Sequence, residues 1–294
     1  MFPTQHGNRP RQMKKREAQK QDSGSEPVGD RAKPTKTTVV FLYDNDTHWN
    51  LNYLEAFREK IKSYRERYEN VFLLYAGDMF IRHRHRWPED SMAYYEERSA
   101  FMVDTMNTLG YDAATLGNHE LYYYGTVTRR VLERAEFPLL VANVDIKTDR
   151  LPVTIRPHLI LETGAGHRVA VVGLSEIPDL EGLHRLDLFE TARVQAEELR
   201  EKADILVALT HISYPRDREL ASKVPEYDLI IGGHSHTPME KTEVVNSVQI
   251  AQAGGVPGHL PVDGSLPKYL GRVKLILENE HLVERDTKLY CFGD

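Results

Sequence analysis

Asp112-Ala113-Ala114-Thr115-Leu116-Gly117-Asn118-His119-Glu120 runs a short apolar strand straight into a turn of polar residues. The same order recurs along the chain. Thr38-Val39-Val40-Phe41-Leu42-Tyr43 leads to Asp46-Thr47-His48, and Val71–Tyr75 leads to Gly77-Asp78. Ile205–Leu209 leads to Thr210-His211, and Leu229–Ile231 leads to Gly232-Gly233-His234-Ser235-His236. β-Branched and aromatic runs of this length read as buried strands. Five strand ends therefore each deliver Asp, Asn or His. In open α/β sheets ligands gather in the crevice at the carboxyl ends of the strands, so these residues are expected to be neighbours in space.

Between these strands the period changes. Leu51, Leu54, Phe57, Ile61 and Tyr64 fall near one face of a helix over 51–68. Met92–Leu109 and Phe189–Lys202 read as further helices, and Leu139–Ala142 as a short strand. Arg156–Glu162 and Arg168–Leu174 pair as a hairpin around Gly164-Ala165-Gly166. Val248–Ala251, Gly271–Leu277 and His281–Thr287 read as closing strands. Early alternation with a strand-rich end predicts an α/β sandwich with mixed sheets. No linker interrupts 37–294, so one domain is expected there, preceded by a tail. Residues 1–36 are rich in Gln, Lys, Arg, Ser and Pro and read as disordered. A sharper reading makes Arg9–Lys20 an electrostatic arm for a polyanion or an acidic surface.

Of the 294 residues, 40% are hydrophobic, enough for a substantial core. The net charge of −6 is unevenly spread: residues 1–36 carry nine Lys and Arg against four Asp and Glu, which leaves an acidic body. Such a body argues against broad nucleic-acid binding, which needs a basic face. A single cysteine, Cys291, excludes a disulfide framework and a thiolate-rich zinc site. The first 36 residues have no apolar signal-peptide core. No stretch approaches the roughly 18 apolar residues of a membrane span. A cytoplasmic protein with no membrane partner is the expectation, if the natural gene begins at Met1.

Asp and Asn oxygens with His nitrogens suit Mn, Zn or Fe/Co, and Asp46, His48, Asp78, Asn118, His211, His234 and His236 are too many for one zinc, which takes about four ligands. They suit two divalent metal ions bridged by one carboxylate. An extended backbone in Asp46-Thr47-His48 and His234-Ser235-His236 would point both side chains of each trio to one face. The glycines at 77, 117, 232 and 233 allow tight turns and close backbone approach.

These residues resemble the calcineurin-like metallophosphoesterases over roughly residues 38–278, and within them the catalytic domain of bacterial 5′-nucleotidases and UDP-sugar hydrolases. Met106–Glu120, Gly232–Thr237, Gln252-Ala253-Gly254 and Tyr269-Leu270-Gly271-Arg272 carry the resemblance. It implies a sandwich of two mixed β-sheets flanked by helices. It implies one metal on Asp46, His48, Asp78 and His236, and a second on Asp78, Asn118, His211 and His234. It places His119 beside the phosphoryl group, as a general acid or a stabiliser of developing charge. The implied reaction is two-metal hydroxide attack on phosphorus.

Two departures stand out. Family members usually read Gly-Asn-His-Glu-Phe-Asp, the Asp orienting the histidine; here Tyr122 occupies that place. Tyr122 to Tyr124 are candidates to wall the pocket or simply to pack. Such nucleotidases also continue into a domain that holds the nucleoside, whereas this chain stops soon after Gly271, so nucleotide specificity does not carry over. Arg82 and Arg84, just after the Asp78 loop, are candidate phosphate contacts, with an exposed ion-paired loop as the plain reading. Glu120 is expected to brace its turn rather than bind metal. The preferred reading is a phosphomonoesterase acting on nucleotides or similar small phosphate esters. The alternatives are a phosphodiesterase or nuclease using the same metals, or a weakly catalytic metal-binding module that needs a separate specificity subunit.

Overall fold

The computed structural model describes residues 36–81, 89–122, 126–147, 154–176, 178, 181–256, 266–278 and 281–293, with the backbone alone at 89–91, 122 and 126. In chain order the elements are β1 (Lys36–Asp44), α1 (Leu54–Arg67), β2 (Asn70–Ala76), α2 (Glu89–Leu109), β3 (Ala113–Thr115), α3 (Asn118–Tyr122), α4 (Thr126–Leu132), β4 (Leu139–Leu140) and β5 (Val144–Ile146). They continue with β6 (His158–Glu162), β7 (Arg168–Ser175), β8 (Leu183–Arg185), α5 (Leu188–Arg200), β9 (Ile205–His211), α6 (Tyr214–Lys223) and β10 (Leu229–Gly232). The last are β11 (Glu243–Val245), β12 (Val248–Gln252), β13 (Lys268–Glu278) and β14 (His281–Phe292).

Two six-stranded sheets result, in the orders β14-β13-β1-β2-β3-β4 and β11-β12-β10-β9-β7-β6, with β5 and β8 forming a small ribbon. Both are mixed. β1 pairs parallel with β2 and antiparallel with β13. β9 pairs parallel with β7 and β10, and β6 closes the second sheet antiparallel. Alternation within one strand explains the layering. Val39, Phe41 and Tyr43 face the second sheet, where they meet Val171, Val207 and Leu229. Val40 and Leu42 point the other way, onto Phe57 and Ile61 of α1 and Met102 and Met106 of α2. On the far side, Ala170, Val172 and Leu206 pack against Ala192 and Leu199 of α5 and Leu220 of α6. The order is helices, sheet, sheet, helices, as the sandwich expectation required. Strands covered on both faces need apolar residues at every position, which is why they read as unbroken runs.

The differences from expectation are local. The helix predicted from Met92 begins at Glu89, and the strands predicted from Gly271 and His281 extend over 268–278 and 281–292. Helix α6 was not predicted. Six of its ten residues are polar or charged besides Pro215, and only Asp217, Leu220 and Ala221 are buried, so its apolar stripe is too narrow to show periodicity. Pro215 nevertheless sits in its first turn, a helix-start signal. No helix among the described residues is long and apolar enough to cross a membrane.

Candidate metal centre

The strand ends converge, but not through extended backbone as expected. Asp46, His48, Asp78, His234 and His236 all have left-handed φ, at 50°, 46°, 61°, 76° and 51°. Each such non-glycine residue costs roughly 1–3 kcal/mol and persists only where its surroundings hold it. They do so here. Asp46 N and His48 N donate to Gly77 O and Asp78 O at 2.9 and 3.2 Å, stitching the first loop to the second. Between them Thr47 N and Oγ1 meet Tyr75 Oη at 3.1 and 2.7 Å. Curling each loop, rather than extending it, turns Asp46 and His48 to one point and brings His236 to the same point, while His234 reaches the adjoining one.

The convergent atoms form two adjoining sets. In the first, Asp46 Oδ1 lies 3.1 Å from His236 Nε2 and 3.9 Å from His48 Nε2, and the two ring nitrogens are 3.4 Å apart. In the second, His211 Nε2 lies 3.3 Å from Asp78 Oδ2, from Asn118 Oδ1 and from His234 Nδ1, while His234 Nδ1 is 2.8 Å from Asn118 Oδ1. Asp78 also groups with His48 and with His119, whose Nε2 is 3.7 Å away, so this carboxylate touches both sides.

The proton positions follow from the partners. A carbonyl only accepts, so His48 Nδ1, donating to Phe80 O at 2.8 Å, carries the hydrogen, and so does His211 Nδ1, donating to Ala76 O at 2.8 Å. Neutral, both rings then present a bare Nε2 to the centre, the arrangement that prepares a histidine to hold a metal. Facing ring nitrogens at 3.3–3.4 Å repel unless a proton or a cation lies between them. Among the described residues, buried Asp46 Oδ1 accepts no hydrogen bond of good geometry. The field is also that of a cation site. Burial alone would lower the His211 pKa, yet the Asp78 and Asp46 carboxylates outweigh it and raise it to about 10. Burial would raise Asp78, yet His211 and His119 hold it well below the usual carboxylate range. A bare His48 Nε2, a buried Asp46 oxygen without a well-formed hydrogen bond and a field that retains positive charge fit divalent cations held by oxygen and nitrogen donors.

Glu120 braces the site as expected. It is fully buried; its Oε2 accepts from Asp78 N and Gly117 N at 3.0 and 2.8 Å, and its Oε1 accepts from Phe80 N at 2.9 Å. In return, Asp78 Oδ1 accepts from His119 N at 2.9 Å. The loops after β2 and β3 thus clasp each other. They press so closely that a Cβ on Gly117 would sit 2.0 Å from Asp78 Oδ1. Glu120→Ala strands three buried N–H groups, and the expected loss is about 3–5 kcal/mol. Thermal unfolding should show the midpoint falling by on the order of 10 °C. A fall equal to less than about 1 kcal/mol would mean the clasp is dispensable.

His119 sits at the edge of the centre, partly exposed, its ring against that of His48 with centroids 4.5 Å apart. Its Nδ1 donates to Phe80 O at 3.0 Å. The backbone carbonyl therefore orients the ring, the part the resemblance gives to the Asp whose place Tyr122 takes. Burial pushes the ring down to about 4, the Asp78 charge opposing it only in part. Arg82 and Arg84 lie outside the described residues, as does the Tyr122 side chain, whose backbone ends α3. The Phe80 and Ala76 carbonyls were invisible to sequence reasoning, because backbone groups are the same at every residue.

Residues 41–238 match the model of the calcineurin-like phosphoesterase family. Over 291 residues the chain is 31% identical to the trifunctional nucleotide phosphoesterase protein YfkN of Bacillus subtilis, covering 84% of this chain and 19% of that protein. A 5′-nucleotidase of Diplobatis ommata is 27% identical over 296 residues, covering 87% of this chain and 48% of its own length. Among solved structures, the 5′-nucleotidase precursor of Thermus thermophilus superposes with a TM-score of 0.73 at 22% identity, covering 87% of this chain and 55% of that one. The chain thus spans from a fifth to about half of the length of the curated relatives described here.

Proposed function

Because this chain belongs to the calcineurin-like phosphoesterase family, we propose that it is a dinuclear metal-dependent phosphomonoesterase for nucleotides or similar small phosphate esters. The observation that carries this reading is the pair of adjoining donor sets, Asp46/His48/His236 and Asp78/His211/His234, with Asp78 also grouped with His48. One ion would be held by Asp46, His48, Asp78 and His236, and the other by Asp78, Asn118, His211 and His234. The oxygen and nitrogen donors suit Mn, Zn, Fe or Co. Bound there, two divalent ions supply charge neutralisation on the phosphoryl oxygens and acidify water for attack.

The residues themselves do the rest. Asp46 and Asp78, both held ionised, make the crevice a cation trap. His119 gives its Nδ1 hydrogen to Phe80 O and so offers a bare Nε2. To act as an acid it must first take a proton. A phosphomonoester monoanion carries one on its phosphoryl oxygen, which Nε2 can accept and hand to the leaving oxygen. A diester has no such proton and would have to draw the one its leaving oxygen needs from the attacking water.

The test is hydrolysis of p-nitrophenyl phosphate by metal-stripped protein resupplied with Mn²⁺, Co²⁺, Zn²⁺ or Ni²⁺, in parallel with bis-p-nitrophenyl phosphate and a panel of nucleoside monophosphates. Stimulation by Mn²⁺ with preference for the monoester is expected. Inactivity with all four metals removes the enzyme reading, and preference for the diester reverses the substrate class.

A further inference from the structure

Behind the metal centre a further buried carboxylate has no part in the scheme above. Asp217, in the first turn of α6, is fully buried. Thr210 Oγ1 donates to its Oδ1 at 2.6 Å, and Gln252 Nε2 donates to its Oδ2 at 2.8 Å. Gln252, itself fully buried, passes the connection on: its Oε1 accepts from Ser235 Oγ at 2.9 Å, and Ser235 Oγ accepts from Tyr214 N at 3.0 Å. Thr210 immediately precedes His211, and Ser235 stands between His234 and His236. The loop that carries those two histidines starts directly on this pair. A Cβ added to Gly232 would lie 2.1 Å from Asp217 Oδ2 and 2.8 Å from Gln252 Nε2.

The chemistry explains why a carboxylate is used. An ionised buried carboxylate costs several kcal/mol, and an apolar side chain would pack α6 against β10 without that cost. What a carboxylate adds is polarity: although burial pushes Asp217 up to about 7, its Oδ2 accepts from Gln252 Nε2 in either protonation state. Gln252 must therefore present its amide nitrogen to Asp217 and its oxygen to Ser235. Ser235 must then donate to Gln252, which leaves its lone pairs for Tyr214 N. One residue fixes the direction of every bond from β9 to the His234–His236 loop.

We propose that Asp217 is a positioning residue which, through Thr210, Gln252 and Ser235, sets the spacing of His211 from His234 and so the affinity of the metal set formed by Asp78, Asn118, His211 and His234. This rests on the dinuclear reading. Asp217 touches no ligand atom, and its effect passes through the orientation of the groups beside the ligands, the kind of contact whose loss weakens metal binding by about 10- to 100-fold.

Asp217→Asn keeps the shape but sets its NH₂ either against the Gln252 NH₂, unless Gln252 turns over and gives up its bond from Ser235, or against Thr210 Oγ1, which then loses its acceptor. The double variant Asp217→Asn/Gln252→Glu exchanges the two functional groups and restores the donor–acceptor order at unchanged net charge. It lacks only the 3.4 Å contact of Gln252 Nε2 to Gly233 O. Ser235→Ala, at an exposed position, breaks the chain at its far end with little threat to folding.

The measurement is Mn²⁺ titration of the metal-free protein by calorimetry, with thermal unfolding of each metal-free variant alongside. Wild type should bind two Mn²⁺. Asp217→Asn should weaken one of them about tenfold or more and leave the other within about twofold. Ser235→Ala should shift the same ion in the same direction, and the double variant should recover that ion to within about threefold. Equal weakening of both ions, no weakening, or failure of the double variant to recover would overturn the proposal, since a merely stabilising residue lowers the unfolding midpoint without choosing between ions. If wild type binds a single Mn²⁺, the dinuclear reading falls separately. The network then stands only if Asp217→Asn weakens that ion and the exchange restores it.

Discussion

Asp78→Asn is expected to lower phosphomonoester turnover on the order of 10³-fold and to leave the protein short of metal. The substitution is nearly isosteric and can keep the 2.9 Å bond from His119 N to Oδ1. What changes is the other oxygen. Oδ2 lies 3.3 Å from His211 Nε2 and 3.7 Å from His119 Nε2, and the carboxylate also groups with His48 of the first donor set. An NH₂ there points hydrogens into the space meant for cations, and a full negative charge is gone from a buried site. His211, raised to about 10 chiefly against burial by Asp78 and then Asp46, loses the larger of its two supports. The metal-free variant should still fold, because His211 can shed its proton once Asp78 is neutral. Elemental analysis after Mn²⁺ loading, set beside the unfolding midpoint, separates metal loss from unfolding. Retention of both ions with turnover within tenfold of wild type would show that Asp78 is not the shared ligand.

His119→Ala is expected to behave in the opposite way, keeping its metals and losing rate. In the structure its ring is tied to Phe80 O through Nδ1, and its Nε2 is the free end. If Nε2 carries a proton from the phosphoryl group to the leaving oxygen, the loss depends on how much the leaving group needs that proton. A nucleoside 5′-phosphate, whose alkoxide leaves poorly, should lose about 10²–10⁴-fold. p-Nitrophenyl phosphate, whose phenolate leaves without help, should lose about tenfold or less. An equal loss on both substrates would remove the proton-carrying role and leave charge stabilisation, and loss of metal from the variant would make His119 a ligand. The Tyr122 departure bears on the same point. Among the described residues, the group that holds His119 Nδ1 is the Phe80 carbonyl, which fixes the tautomer without supplying charge.

Some of this was legible in the linear order of residues. The seven donors stand where apolar runs end, and an apolar run buried between a sheet and a layer of helices has one exit toward solvent, its end. A polar residue there is either surface or site, and five such exits carrying only Asp, Asn and His left little room for the first. The Gly117-Asn118-His119-Glu120 turn was legible too, since residues without a side chain mark places where backbone approaches something closely, here Asp78. Helix α6 escaped because burial of three residues in ten leaves no periodic stripe.

From sequence alone came the fold class, the donor set and the expectation that the donors meet. Each depends on what a residue is and on its neighbours within a few positions. Only the tertiary structure decided how they meet. The left-handed turns at Asp46, His48, Asp78 and His234 are conformations the same residues avoid elsewhere, held by hydrogen bonds to residues of other loops. The carbonyls of Ala76 and Phe80 that set the histidine tautomers carry no residue identity. The bonds from Glu120 to Asp78 N, and from Asp217 to Gln252, join positions 42 and 35 apart. Such pairings have no local signature, because a hydrogen bond depends on distance in space, and the chain reaches that distance only after the two sheets have packed.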